Sequence, residues 1–143
     1  MDNRKARRRE EERKATDEIV RALVQARQTS RSSETLDLDW APRFLAILGE
    51  AEGAVLVLRD AVLRKRVSSS MDLILWGAGD DHFRSQMQMS AAETVYEAYT
   101  DAVGCLGANL RGEALPKARK TWSDAVTKQE WIAEQIRQAE GWE

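Results

Sequence analysis

Cysteine and histidine are almost absent, because the chain has one of each, Cys105 and His82. A lone cysteine forms no disulfide within the chain, which is typical of a reducing compartment. One histidine and one cysteine also cannot build a zinc site or a two-histidine carboxylate site within one chain. We therefore expect no metal. His82, beside Asp80 and Asp81, should lie in a solvated loop, and Cys105 should be a small buried hydrophobe.

Proline and glycine are also scarce, with two prolines and eight glycines in 143 residues. The alternation of β-branched and aromatic residues that is typical of strands is missing, whereas alanine, leucine, glutamate and arginine are frequent. The length favours one domain with its own core. The expected fold is all-α, an antiparallel bundle of four to five helices.

Long apolar runs are missing as well. The longest uncharged run in the most apolar segment, Gly53–Leu58, is far shorter than the roughly 20 residues that span a bilayer. The basic residues near the start are not followed by an apolar stretch, so no secretory signal is predicted. We expect a cytoplasmic protein without membrane contacts.

The usual sequence signatures of enzymes are missing too. The serines of Ser68–Ser70 have no histidine near them in the sequence that would activate a hydroxyl. The glycines of Gly77–Gly79 follow no predicted strand and are too few for a phosphate-binding loop. These absences favour a chain that is not an enzyme and needs no cofactor.

The most apolar segment is Phe44–Leu63, and it predicts most of a second helix and the start of a third. Asp60 is a suitable N-cap for the third helix. Gly49 and Gly53 either lie within the second helix at a cost in propensity or mark the close approach of another helix. We expect this hairpin at the centre of the bundle, with the fourth and fifth helices against it. If one side is exposed instead, that side is the partner site.

Breakers and caps predict the other boundaries in the first half of the chain. The first helix should cover about Lys5–Gln28, and a polar linker should cover Thr29–Asp39. Asp39 is the predicted N-cap of the second helix. The third helix should pass through Ser68–Ser70, with a break at the serines as the alternative, and should end at Gly77.

The second half has the clearest start signal. Ser90 and Glu93 form a capping box that opens the fourth helix. Gly112 should end that helix, and Pro116 should open the fifth. The side chains predicted to face the core from these two helices are Ala92, Val95, Tyr96, Tyr99, Ala102, Val103, Leu106, Leu110, Trp122, Ala125, Val126, Ile132, Ala133, Ile136 and Ala139.

Charge is spread unevenly. Residues 1–14 hold seven basic and four acidic side chains, a net charge of +3, so the rest of the chain carries −5 of the total of −2. The basic side chains are Arg4, Lys5, Arg7, Arg8, Arg9, Arg13 and Lys14. An apolar stripe begins only at Ala15. We therefore divide the chain into a projecting basic helical extension, residues 1–14, and a single helical-bundle domain, residues 15–143.

The extension has two interpretations. As a solvated helix, it is stabilised by i, i+4 pairs such as Arg8 and Glu12, at about 0.2–0.5 kcal/mol each. However, its cations crowd the helix N-terminus, where the macrodipole favours anions. The segment MDNRKARRREEERK also resembles the N-terminal arginine-rich peptides of phage antitermination proteins, which fold as a helix on an RNA hairpin. The resemblance implies RNA binding, although Glu10–Glu12 cancel much of the charge and no aromatic residue follows for base stacking.

Two groups of residues are candidates for contact with another protein. Of five tryptophans, Trp40 and Trp122 fall on predicted core faces, whereas Trp131 falls off its stripe and Trp142 is almost the last residue. Tryptophan is enriched at binding hot spots, so Trp131 and Trp142 either contact a partner or cover the ends of their own bundle.

The second group is acidic: Glu93, Glu97 and Asp101 repeat every four residues along one face of the fourth helix. They form either a solvent face or a surface for a basic partner, such as the extension of this or a neighbouring chain.

Together these patterns predict a small non-enzymatic helical protein that acts by binding another protein or by self-association as a homo-oligomer. The alternative function is an RNA- or DNA-binding adaptor that uses the basic extension.

Overall fold

Helices form all the regular structure in the computed structural model, which describes residues 3–32 and 40–141. These ranges contain six α-helices and one π-helical segment: α1 (Asn3–Ser32), α2 (Trp40–Val57), α3 (Ala61–Asp72), the π segment (Leu73–Gly77), α4 (Asp81–Met87), α5 (Ala91–Leu110) and α6 (Lys120–Ala139). The prediction of an all-α chain is confirmed. The predicted linker is wrong over its first residues, because α1 continues to Ser32, and the predicted N-cap Asp39 lies outside the described residues.

Local capping places two helix starts where the sequence predicts them. The Asp60 carboxylate accepts hydrogen bonds from the backbone amides of Val62, at 2.8 Å, and Leu63, at 3.1 Å. Ser90 Oγ accepts from the Glu93 amide at 3.0 Å, and Glu93 Oε1 accepts from the Ser90 amide at 3.2 Å. Each side chain satisfies amides that the first helical turn leaves without an acceptor, so α3 and α5 begin at these residues.

The third helix runs through the serines without a break. Ser70 is fully buried, and its hydroxyl accepts a 3.0 Å hydrogen bond from the indole Nε1 of Trp122 on α6. The helix then widens into the π segment, where the Ala78 amide donates to the Leu73 carbonyl at 2.9 Å. This five-residue spacing is the hydrogen-bond pattern of a π-helix, which the hydrophobic periodicity does not reveal.

Gly77 has a different role from the one predicted. It does not adopt the positive φ of a helix-ending glycine, whereas Gly112 and Gly141 do, with φ of 69° and 74°, and they end α5 and α6. A Cβ on Gly77 would lie 3.0 Å from Leu73 Cδ1 and 3.4 Å from the ring of Phe83. A side chain here would thus need small shifts of Leu73, and glycine allows the close packing of α4 on the π segment.

The last helix starts later than predicted. Pro116 does not open it; α6 begins at Lys120, and the preceding residues form an irregular strap, Glu113–Arg119. The guanidinium of Arg66 on α3 donates to the carbonyl of Pro116, which ties the strap to the body. This contact spans 50 residues of sequence, so the local signals used to place the helix boundary do not include it.

The π segment occupies the centre of the core. Leu73 and Ile74 are fully buried, and the segment contacts α2, α3, α5 and α6. Helix α2 packs chiefly on α1, and α5 packs on both α1 and α3. The predicted central position of Phe44–Leu63 is therefore wrong, because the side of α2 that faces away from α1 is exposed to solvent.

The inward faces of α5 and α6 differ in part from the prediction. Val95, Ala102, Leu106, Trp122, Ala125 and Ile132 are buried as expected. Several others are exposed instead: Ala92, Tyr96, Leu110, Ile136 and Ala139. Because α1 and α3 both cover α5, its buried surface spreads around the helix to Thr94, Glu97 and Cys105, and a single stripe does not describe it.

Candidate interaction groove

Exposed apolar side chains of α2, the π segment and α6 line two cavities that have one residue in common. One cavity, of about 590 Å³, lies between α2 and α3 and includes Gly53, Leu56 and Leu75 in its lining. A second cavity, of about 510 Å³, is lined by Leu75 and Trp76 of the π segment and by Ile136 of α6. Leu75 belongs to both linings, so the two cavities adjoin along the π segment. We call their combined lining the interaction groove.

Three side chains of the interaction groove expose unusual apolar area. Leu56 is 78% exposed, Trp76 48% and Ile136 51%. Isolated exposed apolar residues are common on protein surfaces, but clustered ones that line a concavity mark binding surfaces. Trp76 and Ile136 share the second cavity and Leu56 lies in the first, and Leu75 belongs to both linings.

Two glycines leave the backbone of α2 open on this side. A Cβ added to Gly49 or Gly53 would meet nothing within 4 Å, and both glycines line the first cavity. The interpretation that they mark close approach of another helix within the chain is therefore wrong. Their lack of side chains instead lets an outside segment approach the α2 backbone closely.

Trp40 forms the rigid end of the groove. Its indole Nε1 donates a 3.0 Å hydrogen bond to the carbonyl of Ile74 in the π segment, and its ring stacks on Phe44 with centroids 4.1 Å apart. Gly79 lies directly against the indole, since a Cβ there would be 2.2 Å from Trp40 Cδ1. These contacts fix the start of α2 on the π segment and hold the wall of the second cavity in place.

The groove is acidic. Among the described residues, three carboxylates line it, those of Glu52, Asp72 and Asp80, and no lysine or arginine does. Partial burial raises the pKa of Asp72 above its usual value; Lys65 lowers it, while the nearby charges of Glu52 and Glu130 raise it further. The carboxylates at the α2–α3 side thus repel one another and would be stabilised by a cation.

Trp131, one of the two tryptophans predicted to bind a partner, does not line this groove. Trp131 is 50% exposed on α6, and the ammonium of Lys128 lies 4.9 Å from its ring centroid. Trp142 lies outside the described residues. The half-exposed tryptophan of the groove is Trp76, for which the sequence predicts no role. The sequence feature that marks this position is the apolar run Leu73–Leu75 directly before Trp76.

The three acidic residues of α5 do not form one solvent face, so that interpretation is wrong. Glu93 is exposed and serves the capping box. Glu97 is buried and pairs with Arg119 at 3.4 Å. The Asp101 side chain is 7% exposed and forms an ion pair with Arg66. Because α5 is covered on two sides, its carboxylates meet arginines of the same chain.

The seven basic residues of the predicted extension all lie on α1 and are all exposed: Arg4, Lys5, Arg7, Arg8, Arg9, Arg13 and Lys14. The first buried side chain of α1 is Ala15. Before it, Glu12 accepts a hydrogen bond from the side-chain amide of Asn109 near the end of α5. The basic side chains are thus presented together on one helix.

The single histidine and the single cysteine lie on different helices, α4 and α5. His82 is exposed on α4, where a loop was predicted, and no group of three or more histidine, cysteine, aspartate or glutamate side chains in this part of the chain could hold a metal ion. Burial raises the pKa of the Cys105 thiol to about 11; Asp101 raises it further and Arg66 lowers it. Such a thiol is almost entirely protonated at neutral pH and is a poor nucleophile.

Comparison with protein-family models, curated proteins and solved structures found no match to this chain. None of the helices in residues 3–32 and 40–141 has the length and apolar character needed to cross a membrane.

Proposed function

We propose that this chain is a non-enzymatic helical protein that acts by binding another protein, and that the interaction groove receives a basic amphipathic helix of that partner. The observation that carries the proposal is the combination of half-exposed Trp76 and Ile136 with a lining that has carboxylates but no cation. Grooves of this kind bind the apolar face of a helix, with charge around the rim setting orientation and specificity.

The chemistry of the partner follows from the two parts of the groove. An aromatic or aliphatic side chain of the partner would fill the second cavity against Trp76 and Ile136, which is the usual composition of a hot spot. Lysine or arginine side chains would meet Glu52 and Asp72 in the first cavity. The exposed basic segment of α1 has the charge for this role but no apolar stripe, so it does not fit as the occupant from a second copy.

We further propose that the body, residues 15–143, is an antiparallel bundle from which residues 1–14 project. The exposed basic side chains before Ala15 support this division, and the hydrogen bond between Glu12 and Asn109 connects the base of the extension to the body. In this arrangement the extension leaves the groove free, and a partner could bind without displacing it.

A designed peptide tests the groove. An 18-residue helical peptide with leucine on one face and lysine on the other serves as the basic probe, and its twin with glutamate in place of lysine serves as the acidic control. Fluorescence anisotropy of the labelled peptides should show saturable binding of the basic peptide alone. Trp76→Ala should weaken that binding by about tenfold or more.

Trp131→Ala is the matched control, because Trp131 is as exposed as Trp76 but does not line the groove. It should leave the affinity unchanged. If neither peptide binds, or if only the Trp131 variant loses affinity, the groove is not the binding site.

The second candidate function is nucleic-acid binding through α1, which the exposure of seven basic side chains on one helix favours. The test is an electrophoretic mobility shift with generic RNA and DNA at low and high salt. The full chain should bind at low salt, and a variant with Arg7, Arg8 and Arg9 all changed to Gln should bind more weakly. Absence of binding by the full chain at low salt would exclude this function.

A further inference from the structure

A third cavity, separate from the interaction groove, lies where the end of α1 meets the start of α5. Its volume is about 460 Å³, which is within the range of small-molecule sites. Arg27 and Arg31 of α1 and Glu93, Tyr96 and Glu97 of α5 contribute to its lining. Two cations and two carboxylates thus line one cavity that is open to solvent.

Glu97 is the most unusual member of the lining. The residue is 6% exposed, and Oε1 pairs with Arg119 Nη2 at 3.4 Å. Its other oxygen, Oε2, is buried and has no hydrogen-bond partner among the described residues. A buried carboxylate oxygen without a donor is costly, and a donor group on a ligand in the cavity would satisfy it.

Arg27 supplies the opposite charge in a fixed position. Its guanidinium carbon lies 5.4 Å from the ring centroid of Tyr96 and 4.9 Å from that of Tyr99, so two aromatic faces hold the cation. Its Nε is also buried without a partner in the described structure. Arg31, one helical turn further along α1, adds a second cation to the same lining.

We propose that this cavity binds a small zwitterion, a molecule with a protonated amine at one end and a carboxylate at the other. The amine would donate to Glu97 and the carboxylate would accept from Arg27 and Arg31. A simple cation would meet two arginines, and a simple anion would meet Glu97 and Glu93, so the balanced lining selects a ligand that carries both charges. The site is independent of the interaction groove and of the function proposed for it.

Calorimetric titration with ω-amino acids of increasing length tests the site. The probes are glycine, β-alanine, γ-aminobutyrate and ε-aminocaproate, which scan the separation between the two charges. Butylamine and butyrate are the single-charge counterparts of γ-aminobutyrate. At least one zwitterion should bind saturably, and the corresponding amine and carboxylate should each bind at least about tenfold more weakly.

Two variants locate the binding, and a third controls for charge. Glu97→Gln and Arg31→Gln should each reduce the affinity by about tenfold or more. Arg31 is exposed, so its variant keeps the test valid if the Glu97 variant does not fold. Arg21→Gln removes an exposed arginine of the same helix that does not line this cavity, and it should leave binding unchanged. The proposal is overturned if no zwitterion binds below ~10 mM, if butylamine or butyrate binds equally well, or if Arg31→Gln has no effect.

Discussion

Replacement of Arg66 by methionine should destabilise the fold by about 3–5 kcal/mol, the usual cost of removing one partner from a buried ion pair. The Arg66 side chain is 14% exposed and that of its partner Asp101 is 7% exposed, so water reaches the pair poorly. The same guanidinium donates to the Pro116 carbonyl and lies 5.5 Å from the ring centroid of Trp122. One side chain therefore connects α3, α5, the strap and α6.

The magnitude follows from what the substitution leaves behind. Without Arg66, the carboxylate of Asp101 keeps, among the described residues, a weak contact with the Cys105 thiol, at 3.9 Å. The carbonyl of Pro116 can turn to water, because Pro116 is exposed. Most of the cost is therefore the uncompensated charge of Asp101. A domain of this kind is stable by about 5–15 kcal/mol, so the variant should lose a large share of that margin.

A second variant separates charge from packing. Arg66→Met combined with Asp101→Leu removes both charges and should recover most of the loss, since apolar pairs often replace buried ion pairs with little cost. The buried, unpartnered Nε of Arg66 supports this expectation, because part of its desolvation is uncompensated already. Lys65→Met is the control. Lys65 pairs with Glu130 at 3.8 Å with both side chains mostly exposed, and such pairs contribute about 0–1 kcal/mol.

Urea unfolding followed by far-ultraviolet circular dichroism measures all three variants, with midpoint and slope reported separately. The single Arg66 variant should unfold at the lowest urea concentration. If it loses less than about 1 kcal/mol, or if the double variant is as unstable as the single one, the buried charge of Asp101 is not the source of the effect.

Three further outcomes follow from particular residues. Gly79→Ala should destabilise the fold by about 1–3 kcal/mol, because the new Cβ would overlap the Trp40 side chain. Gly49→Ala, with open space around the new Cβ, should stabilise α2 by about 0.5–1 kcal/mol. Thermal unfolding measures both variants, and their melting temperatures should shift in opposite directions. Cys105 should resist a disulfide-exchange reagent at pH 8 in the folded protein and react quickly in urea, because burial raises the pKa of its thiol to about 11; fast reaction of the folded protein would contradict this. Since the folded-state pKa of Asp72 is raised above its ordinary value of 3.8, ionisation of this carboxyl disfavours folding, and its contribution to stability falls as pH rises above 3.8. Asp72→Asn should therefore raise the melting temperature at neutral pH, with a gain that shrinks as the solution is acidified towards that value.

The features that the sequence predicted correctly are those decided within a few residues. Asp60 caps α3 and Ser90 with Glu93 caps α5 because each donor and acceptor lies within one turn. The glycines that end α5 and α6 need only their own positive φ. The buried stripe of α3, which includes Leu63, Val67 and Met71, follows from helical spacing alone.

The features that were mispredicted depend on distant contacts. The strap, whose Pro116 carbonyl accepts from Arg66, occupies the predicted start of α6, and the buried side chains of Glu97 and Asp101 pair with arginines from other elements. The hydrophobic pattern of a helix also does not show which other helix packs against each of its faces. Leu56 is apolar and off the main stripe of α2, which is compatible with a central helix, yet it is 78% exposed and no helix within residues 3–32 and 40–141 covers it. The groove therefore became visible only from the arrangement of the helices.

The π segment makes the groove sensitive to chain length as well as to residue type. A π-helical turn is equivalent to an α-helix that contains one inserted residue. Removing a single residue from Leu73–Gly77 would restore an ordinary α-helix and rotate everything beyond the deletion by about 100°. That rotation would carry Gly79 away from the indole of Trp40 and move α4 relative to the core. Homologues that keep the groove should therefore tolerate substitutions at these five positions more readily than a one-residue insertion or deletion.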